Sequence, residues 1–294
     1  MLGTPAGSPA TAGRVSGTGG AARLSAVPGA APPLLTWDCF DPAVVQVALS
    51  TRDGGVSTGS YASLNLGLHV GDAEAAVLEN RARVASAMGV RLDDLVFAEQ
   101  VHQPNVAVVD AAHRGRGARS AADALPATDA VVTTTPEVVL VVMIADCVPL
   151  VLHDPMAEVL ACVHAGWGGT VRGVTPAAVR AMQELGSDPA NIVVGIGPAI
   201  SANTYQVGDD VAGAARTAFG DRLGEVLRPD GSGRYLFDLG GAARLQLTAA
   251  GVPVAQIHDS GLTTGPGTPF YSHRAERPCG RFAVLARLLP EGRP

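Results

Sequence analysis

The sequence predicts an α+β fold, a single domain of mixed β-sheets flanked by helices. Short apolar runs rich in β-branched residues are numerous, and stretches with helical caps are few. Because the strands outnumber the helices, a doubly wound parallel sheet is not expected. The composition shows no linker after residue 33, and hydrophobic residues make up 47% of the 294-residue chain. A chain of this size and composition can bury one sizeable core.

The first 33 residues differ in composition from the rest of the chain. They are rich in Gly, Ala, Pro, Ser and Thr, which bury too little apolar surface to offset the entropy of ordering. We therefore predict a disordered tail over residues 1–33, dispensable for folding and activity, and a folded domain over residues 34–294. The chain has no apolar signal-peptide segment and no apolar run long enough to cross a membrane, so we expect a cytoplasmic protein.

The remaining elements follow from periodicity and caps. Strands are predicted for residues 44–50, 95–101, 106–109, 131–134, 138–144, 192–196, 254–258 and 282–289. Helices are predicted for residues 73–88, 175–185, 210–219 and 241–250. Asp72 is the expected N-cap of the first helix, which Gly89 ends. Residues 111–126 and 221–236 are polar and are expected to be surface loops.

Two apolar runs around residues 154–157 predict a β-hairpin, since a Pro-containing tetrad between such runs is typical of a turn. If those four residues form the loop, His153 pairs with Glu158, and Cys147 lies directly opposite His164. Cβ atoms of opposed residues lie about 4.5–5.5 Å apart. A thiolate and an imidazole at that separation can bind one zinc ion, at about 2.3 and 2.0 Å.

His102 is the third candidate ligand, because it precedes a turn at Pro104 and follows a predicted strand. Two histidines and one cysteine would leave the fourth position of a tetrahedral zinc site open, as in catalytic sites. Two alternatives stay open at this point. Cys147 could be a nucleophile with His164 as its base, or the residues could belong to a non-catalytic binding module. The four cysteines show no CxxC spacing, so a disulfide framework is not indicated.

Charge restricts the partners. The net charge is −6, whereas a nucleic-acid-binding surface needs an excess of Lys and Arg. Small anions can still be bound by local features. In residues 51–57, Arg52 precedes two adjacent glycines that permit close approach of a ligand to the backbone. We therefore expect small-molecule partners and no nucleic acid or membrane.

These stretches together resemble the YfiH family, once described as multicopper polyphenol oxidases and now treated as purine nucleoside phosphorylases. The matching motifs are TRDGGVS at 51–57, SLNLG at 63–67, QVH at 100–102, ADCVPL at 145–150, VHAGW at 163–167, GIGPAI at 195–200 and SHR at 272–274. Each motif alone is modest, but their order is specific and covers nearly the whole chain after the tail. The resemblance implies a YfiH-like catalytic domain over residues 34–294.

The resemblance implies that His102, Cys147 and His164 are zinc ligands and that they carry the catalysis. It also implies phosphorolysis of adenosine, inosine and 5′-methylthioadenosine, with deamination of adenosine as a companion activity. We expect Arg52 and Asn65 to help hold phosphate or nucleoside. The alternative function within the family is a cytoplasmic cysteine or zinc amidase that edits muropeptide precursors of peptidoglycan. This chain has Gly168 where the family usually has Arg, and Arg172 is a candidate to compensate for the missing charge.

Overall fold

The structure is a computed structural model that describes residues 24–136 and 138–290. The strands are Leu24–Ala26 (β1), Leu34–Trp37 (β2), Val45–Ser50 (β3), Leu95–Val96 (β4), Val106–Val108 (β5), Ala130–Thr133 (β6), Val139–Ile144 (β7), Val148–Asp154 (β8), Val159–Ala165 (β9), Val193–Ile196 (β10), Ala199–Ile200 (β11), Gln206–Val207 (β12), Leu227–Pro229 (β13), Tyr235–Phe237 (β14), Ile257–Asp259 (β15), Thr263–Thr264 (β16) and Phe282–Leu288 (β17). The α-helices are Glu74–Ala87 (α1), Trp167–Arg172 (α2), Val174–Glu184 (α3), Asp209–Phe219 (α4) and Leu239–Ala249 (α5). None of the described helices combines the length and the hydropathy that crossing a bilayer requires.

Two six-stranded mixed sheets form the centre of the domain. One has the order β1-β2-β3-β17-β7-β4, and the other has the order β15-β10-β8-β9-β6-β5. A shared apolar core lies between them. Helix α1 covers the outer face of the first sheet, and helices α3, α4 and α5 cover the outer face of the second. The predicted fold class, mixed sheets flanked by helices, is confirmed.

The continuous apolar runs of the sequence arise because the central strands are buried on both faces. In β9, Leu160 and Cys162 point into the layer between the sheets, whereas Val159, Ala161 and Val163 pack against the helices. Strands β7 and β17 divide their side chains in the same way between the intersheet layer and helix α1. His164 follows in the alternation on the face of Leu160 and Cys162, at the end of its strand.

The hairpin of β8 and β9 forms, but the predicted register is wrong. Asp154 pairs with Val159, so the turn is residues 155–158, and Pro149 rather than Cys147 is opposite His164. Asp154 stays in the strand because its Oδ1 accepts hydrogen bonds from the N–H groups of the two residues after Pro155, at 2.9 and 3.1 Å. The turn begins and ends one residue later than predicted, so each side chain still points to the predicted face of the sheet. Cys147 and His164 are therefore diagonal neighbours instead of an opposed pair.

Other elements differ from prediction for local reasons. Helix α3 matches the helix predicted at 175–185, but a second short helix, α2, precedes it and is separated from it by Gly173 at φ +83°. Residues 221–236 are not simply a surface loop, because β13 and β14 pair there and add β12 as a third strand. The strand predicted at 95–101 is only two residues long. Residues 117 and 118, in the loop expected to be exposed, are buried.

The predicted boundary of the tail at residue 33 is also wrong. Strand β1 pairs antiparallel with β2, and the N–H of Val27 donates to the carbonyl oxygen of Leu34 at 2.8 Å. Leu24 packs partly buried against the core between the sheets, and Val27 packs on the helix α1 side. These contacts offset the ordering entropy that the composition led us to expect would dominate. The rest of the predicted tail, residues 1–23, lies outside the described residues.

Truncation tests this boundary. A chain that begins at residue 34 loses β1 and the packing of Leu24 and Val27, so we expect its free energy of unfolding to fall by about 1–3 kcal/mol. A chain that begins at residue 24 keeps those contacts and is the matched control. Equilibrium urea unfolding of both chains measures the difference, and equal midpoints would contradict the structural role of β1.

Candidate metal centre

The structure brings His102, Cys147 and His164 together although they come from three separate segments. One potential ligand atom from each residue lies within 4.8 Å of those of the others. The imidazole ring centroids are 4.8 Å apart and the ring planes meet at 67°. His164 is buried, Cys147 is half-buried and His102 is exposed, so the group faces outward on one side. This arrangement has the composition of a three-ligand site with an open position.

Asp129, the residue before β6, holds two of these segments. Its carboxylate accepts hydrogen bonds from the backbone N–H groups of Val101, His102 and Gln103 at 2.9–3.1 Å. It also lies 2.8 Å from Nδ1 of His164, which leaves Nε2 of that ring free to bind a metal. Asp129 is 1% exposed. One buried carboxylate therefore sets the backbone of one candidate ligand and the ring orientation of another.

His102 has a left-handed backbone, with φ of +59°, which a residue with a side chain adopts only at a cost in free energy. The hydrogen bonds from its own N–H and from its two neighbours to Asp129 stabilise that conformation. The turn directs the His102 side chain toward His164 and Cys147, within reach of a shared ion. The strained backbone conformation thus belongs to a residue that is itself a candidate ligand.

Cys147 stands just before β8, after a second left-handed residue, Asp146, at φ +84°. The carboxylate of Asp146 accepts hydrogen bonds from the Thr264 hydroxyl and from the N–H of Arg274, both at 2.6 Å. Arg274 is the last residue of the SHR motif at 272–274, whereas Thr264 belongs to none of the motifs named above. They fix the turn that presents the Cys147 thiol to the two histidines.

Gly166 lies directly against the side chains of His102 and Cys147. A Cβ atom at this position would lie 2.3 Å from Nδ1 of His102 and 2.8 Å from Sγ of Cys147. Its backbone is ordinary extended chain, with φ of −75°, so glycine is required here for space and not for conformation. The glycine therefore lets the His102 and Cys147 side chains lie close together, in a group that could hold a metal ion.

The pKa values of the pair at the base of the site are shifted in opposite directions. Burial alone would lower the pKa of His164, but Cys147 and Asp129 raise it to about 9. Burial alone would raise the pKa of Asp129, but the hydrogen bonds from His164 and from backbone N–H groups lower it. An ionised carboxylate against the His164 ring is therefore the favoured state of this pair.

A cavity of about 510 Å³ adjoins the three residues. Apolar wall comes from Leu68, Phe97, Ala98 and Met143, among others, and the polar lining includes His69, Arg81, Glu99, His273 and Arg281. A volume of this size, lined by both apolar and polar side chains, suits a small organic molecule. The cavity opens onto the candidate ligands, so a molecule bound in it would lie beside them.

Comparison with known proteins places the chain in a family. The sequence profile of the family described as "Multi-copper polyphenol oxidoreductase laccase" matches residues 46–288. The chain belongs to this family. A relative named purine nucleoside phosphorylase YlmD, from Geobacillus stearothermophilus, is 39% identical over 231 residues, which are 78% of this chain and 84% of the relative.

Solved structures agree with the sequence comparison. The crystal structure of YlmD from Geobacillus stearothermophilus is similar with a TM-score of 0.83 at 37% identity, over 87% of this chain and 96% of that chain. The crystal structure of the Bacillus licheniformis protein YfiH is similar with a TM-score of 0.81 at 35% identity, over 84% of this chain and 97% of that chain. The YfiH resemblance is confirmed.

Arg52 and Asn65, expected to bind substrate in this YfiH-family chain, do not line the cavity. The Arg52 guanidinium lies 3.3 Å from Glu276, over the ring of Tyr271. Asn65 is fully buried, and its amide group contacts Gly67, Asp72 and the N–H of Arg281. These contacts connect loops of the fold, and binding of substrate by either side chain stays a prediction.

Arg172 does not line the cavity beside the candidate ligands. Nη1 of Arg172 donates to the carbonyl oxygen of Gly168 at 2.9 Å, and a Cβ atom at Gly168 would lie 2.9 Å from this nitrogen and 3.2 Å from Cβ of His102. Sequence reasoning missed Asp129, Arg81 and Arg281. The only local signal for Asp129 is its position directly before an apolar strand. That position points to His164 only once the pairing of β6 with β9 is known.

Replacement of Asp129 by Asn tests its role at the metal centre. The amide removes the negative charge against His164 and part of the acceptor capacity for residues 101–103. We expect affinity for zinc to fall by about 10- to 100-fold. Competition with a chromophoric chelator measures the dissociation constant.

Asp154→Asn is the matched control for that variant. Asp154 is also fully buried and accepts three backbone N–H groups, but it lies at the far end of the hairpin. We expect this variant to lose stability and to keep its zinc affinity. Equal zinc affinities of Asp129→Asn and the wild type would show that Asp129 does not organise the ligands.

Proposed function

We propose that this protein is a zinc-dependent purine nucleoside phosphorylase that acts on adenosine, inosine and 5′-methylthioadenosine and also deaminates adenosine. The observation that carries the proposal is a three-ligand group on the wall of a small-molecule cavity, in a chain 39% identical to a protein named purine nucleoside phosphorylase. The proposed partners are purine nucleosides and inorganic phosphate.

His102, Cys147 and His164 would hold the zinc ion. Bound zinc supplies a Lewis acid that can polarise an oxygen atom and activate a nucleophile. Cysteine and histidine are ligands that zinc accepts, and His164 offers Nε2 because Asp129 occupies Nδ1.

The protein's own residues position and shield the reactants. Asp129 and Asp146 fix the two strained turns, so the ligands need little rearrangement. Phe97 and Met143 give the cavity apolar walls against which a purine can pack. Phosphorolysis joins a phosphate oxygen to C1′ of the ribose while the bond from C1′ to the purine nitrogen breaks. The electron pair stays on that nitrogen, and the proton of hydrogen phosphate ends on the free base.

A second function is favoured by one observation. Cys147 interacts with His164, whose Nδ1 lies 2.8 Å from Asp129, so thiol, imidazole and carboxylate stand in the order that activates a cysteine nucleophile. Such a group could support the alternative of a cytoplasmic amidase that edits muropeptide precursors. Metal chelation separates the two functions, because a cysteine amidase keeps its activity without zinc.

Replacement of Cys147 by Ala tests the phosphorylase proposal. We expect about one zinc per chain in the wild type and phosphate-dependent release of ribose 1-phosphate from inosine. The variant should lose both, because two histidines alone are a poor zinc site. Mass spectrometry of the metal and a coupled assay of the base measure the two quantities.

Cys39→Ala is the control, since Cys39 is half-buried and lies outside the cavity lining. It should keep zinc and turnover. A wild type that holds no metal yet hydrolyses a muropeptide amide through Cys147 would contradict the proposal and support the amidase.

A further inference from the structure

Arg81, on helix α1, carries a buried charge that no carboxylate neutralises within the described part of the chain. It is 2% exposed, and burial lowers its pKa only to about 9, so it stays protonated at neutral pH. Its guanidinium donates to the carbonyl oxygens of Leu66, Gly117 and Ala118 at 2.7–2.8 Å, and Cζ lies 3.7 Å from the centroid of the Phe97 ring. All these partners are neutral. A buried charge in such surroundings is costly unless an anion lies nearby.

Arg281 brings a second guanidinium to the same cavity. Its Nη1 donates to the carbonyl oxygens of Cys279 and Gly280 at 3.1 and 2.9 Å, which fixes the group. Among residues 24–136 and 138–290, no acceptor is found for its Nε and Nη2, and no carboxylate lies within 4 Å of it. That edge of the guanidinium can therefore bind a ligand with two parallel hydrogen bonds.

The position of Arg281 is built into the neighbouring loop. Its backbone N–H donates to Oδ1 of Asn65 at 2.9 Å. Its stem lies over Gly67, where a Cβ atom would be 2.9 Å from Cγ of the arginine. The loop that the sequence analysis assigned to direct binding thus positions an arginine that faces the cavity.

The charge distribution in the cavity agrees with an anion site beside the metal ligands. Burial, followed by the charges of Arg281 and Arg81, lowers the pKa of His69 to about 4. Glu99 also lines the cavity, but its carboxylate is exposed and accepts a hydrogen bond from the N–H of Ala127 at 3.2 Å. It forms no ion pair with either arginine among the described residues.

We propose that the free edge of the Arg281 guanidinium binds the phosphate oxyanion, with Arg81 and His69 lining the same cavity. The assignment rests on the proposed phosphorylase function, in which phosphate is the nucleophile. Bidentate contact to Arg281 holds two phosphate oxygens and leaves the others free, one of which forms the new bond to C1′. The same contact then holds the phosphate group of the sugar product.

Arg281→Met tests the assignment in the zinc-loaded full chain. Methionine keeps an apolar stem over Gly67 and removes the charge. We expect KM for phosphate to rise by about tenfold or more, while KM for inosine changes by less than about twofold. Arg281→Lys keeps the charge without the bidentate edge and should give an intermediate KM for phosphate. It also serves as the readout if the methionine variant fails to fold, as judged by thermal unfolding and zinc content.

Arg277→Met is the matched control, because Arg277 lies in the same loop and donates to the carbonyl oxygen of His273 but does not line the cavity. It should leave both KM values unchanged. An unchanged KM for phosphate in both Arg281 variants, or equal rises in both KM values, would overturn the assignment. So would a rise in KM for phosphate on Arg52→Ala but not on Arg281→Met.

Calorimetry with inorganic phosphate distinguishes failure of the subsite from failure of the proposed function. If the wild type binds phosphate and Arg281→Met does not, the subsite stands even if no nucleoside is cleaved. If the wild type cleaves inosine with phosphate and Arg281→Met binds phosphate as tightly as the wild type, the function stands and the subsite is wrong. A wild type that does not bind phosphate overturns the subsite.

Discussion

The hydrogen bonds of the Asp129 carboxylate are the interaction on which the rest of the site depends. Three consecutive backbone N–H groups and the ring of His164 meet at this single buried side chain. Without such acceptors, the left-handed conformation of His102 would relax, because it is unfavourable for a residue with a side chain. His164 would lose the partner that leaves Nε2 for the metal. The carboxylate therefore couples an exposed ligand on a loop to a buried ligand at the end of a strand.

The two packed sheets give this arrangement a rigid support. Strand β9 carries apolar side chains into both neighbouring layers, so the core holds the backbone that presents His164. Asp146 plays the corresponding part for Cys147, with partners that lie 118 and 128 positions away in sequence. The site is thus assembled from turns at the ends of strands, each anchored by a carboxylate. A preorganised group that could hold a metal ion, beside a small-molecule cavity, follows from this construction.

Much of the fold and the ligand group could be predicted because the signals are local. Apolar runs mark β7, β8, β9 and β17, and the cysteine and histidine stand where two of these runs end. The hairpin error was tolerated because a shift of one residue in each strand preserves the faces. The groups that were missed depend on contacts between distant segments. Arg281, for example, is oriented by Asn65 from 216 positions away, and no short-range pattern reports such a contact.

The most direct test of the metal centre is X-ray absorption spectroscopy at the zinc edge of the purified wild-type protein. The proposed zinc site predicts one zinc per chain with one sulfur ligand at about 2.3 Å and two imidazole nitrogens at about 2.0–2.1 Å. The remaining position should hold a light atom from solvent or substrate. A zinc shell without sulfur, or phosphate-dependent cleavage of inosine by protein that holds no metal, would contradict the assignment of His102, Cys147 and His164 as the catalytic metal ligands.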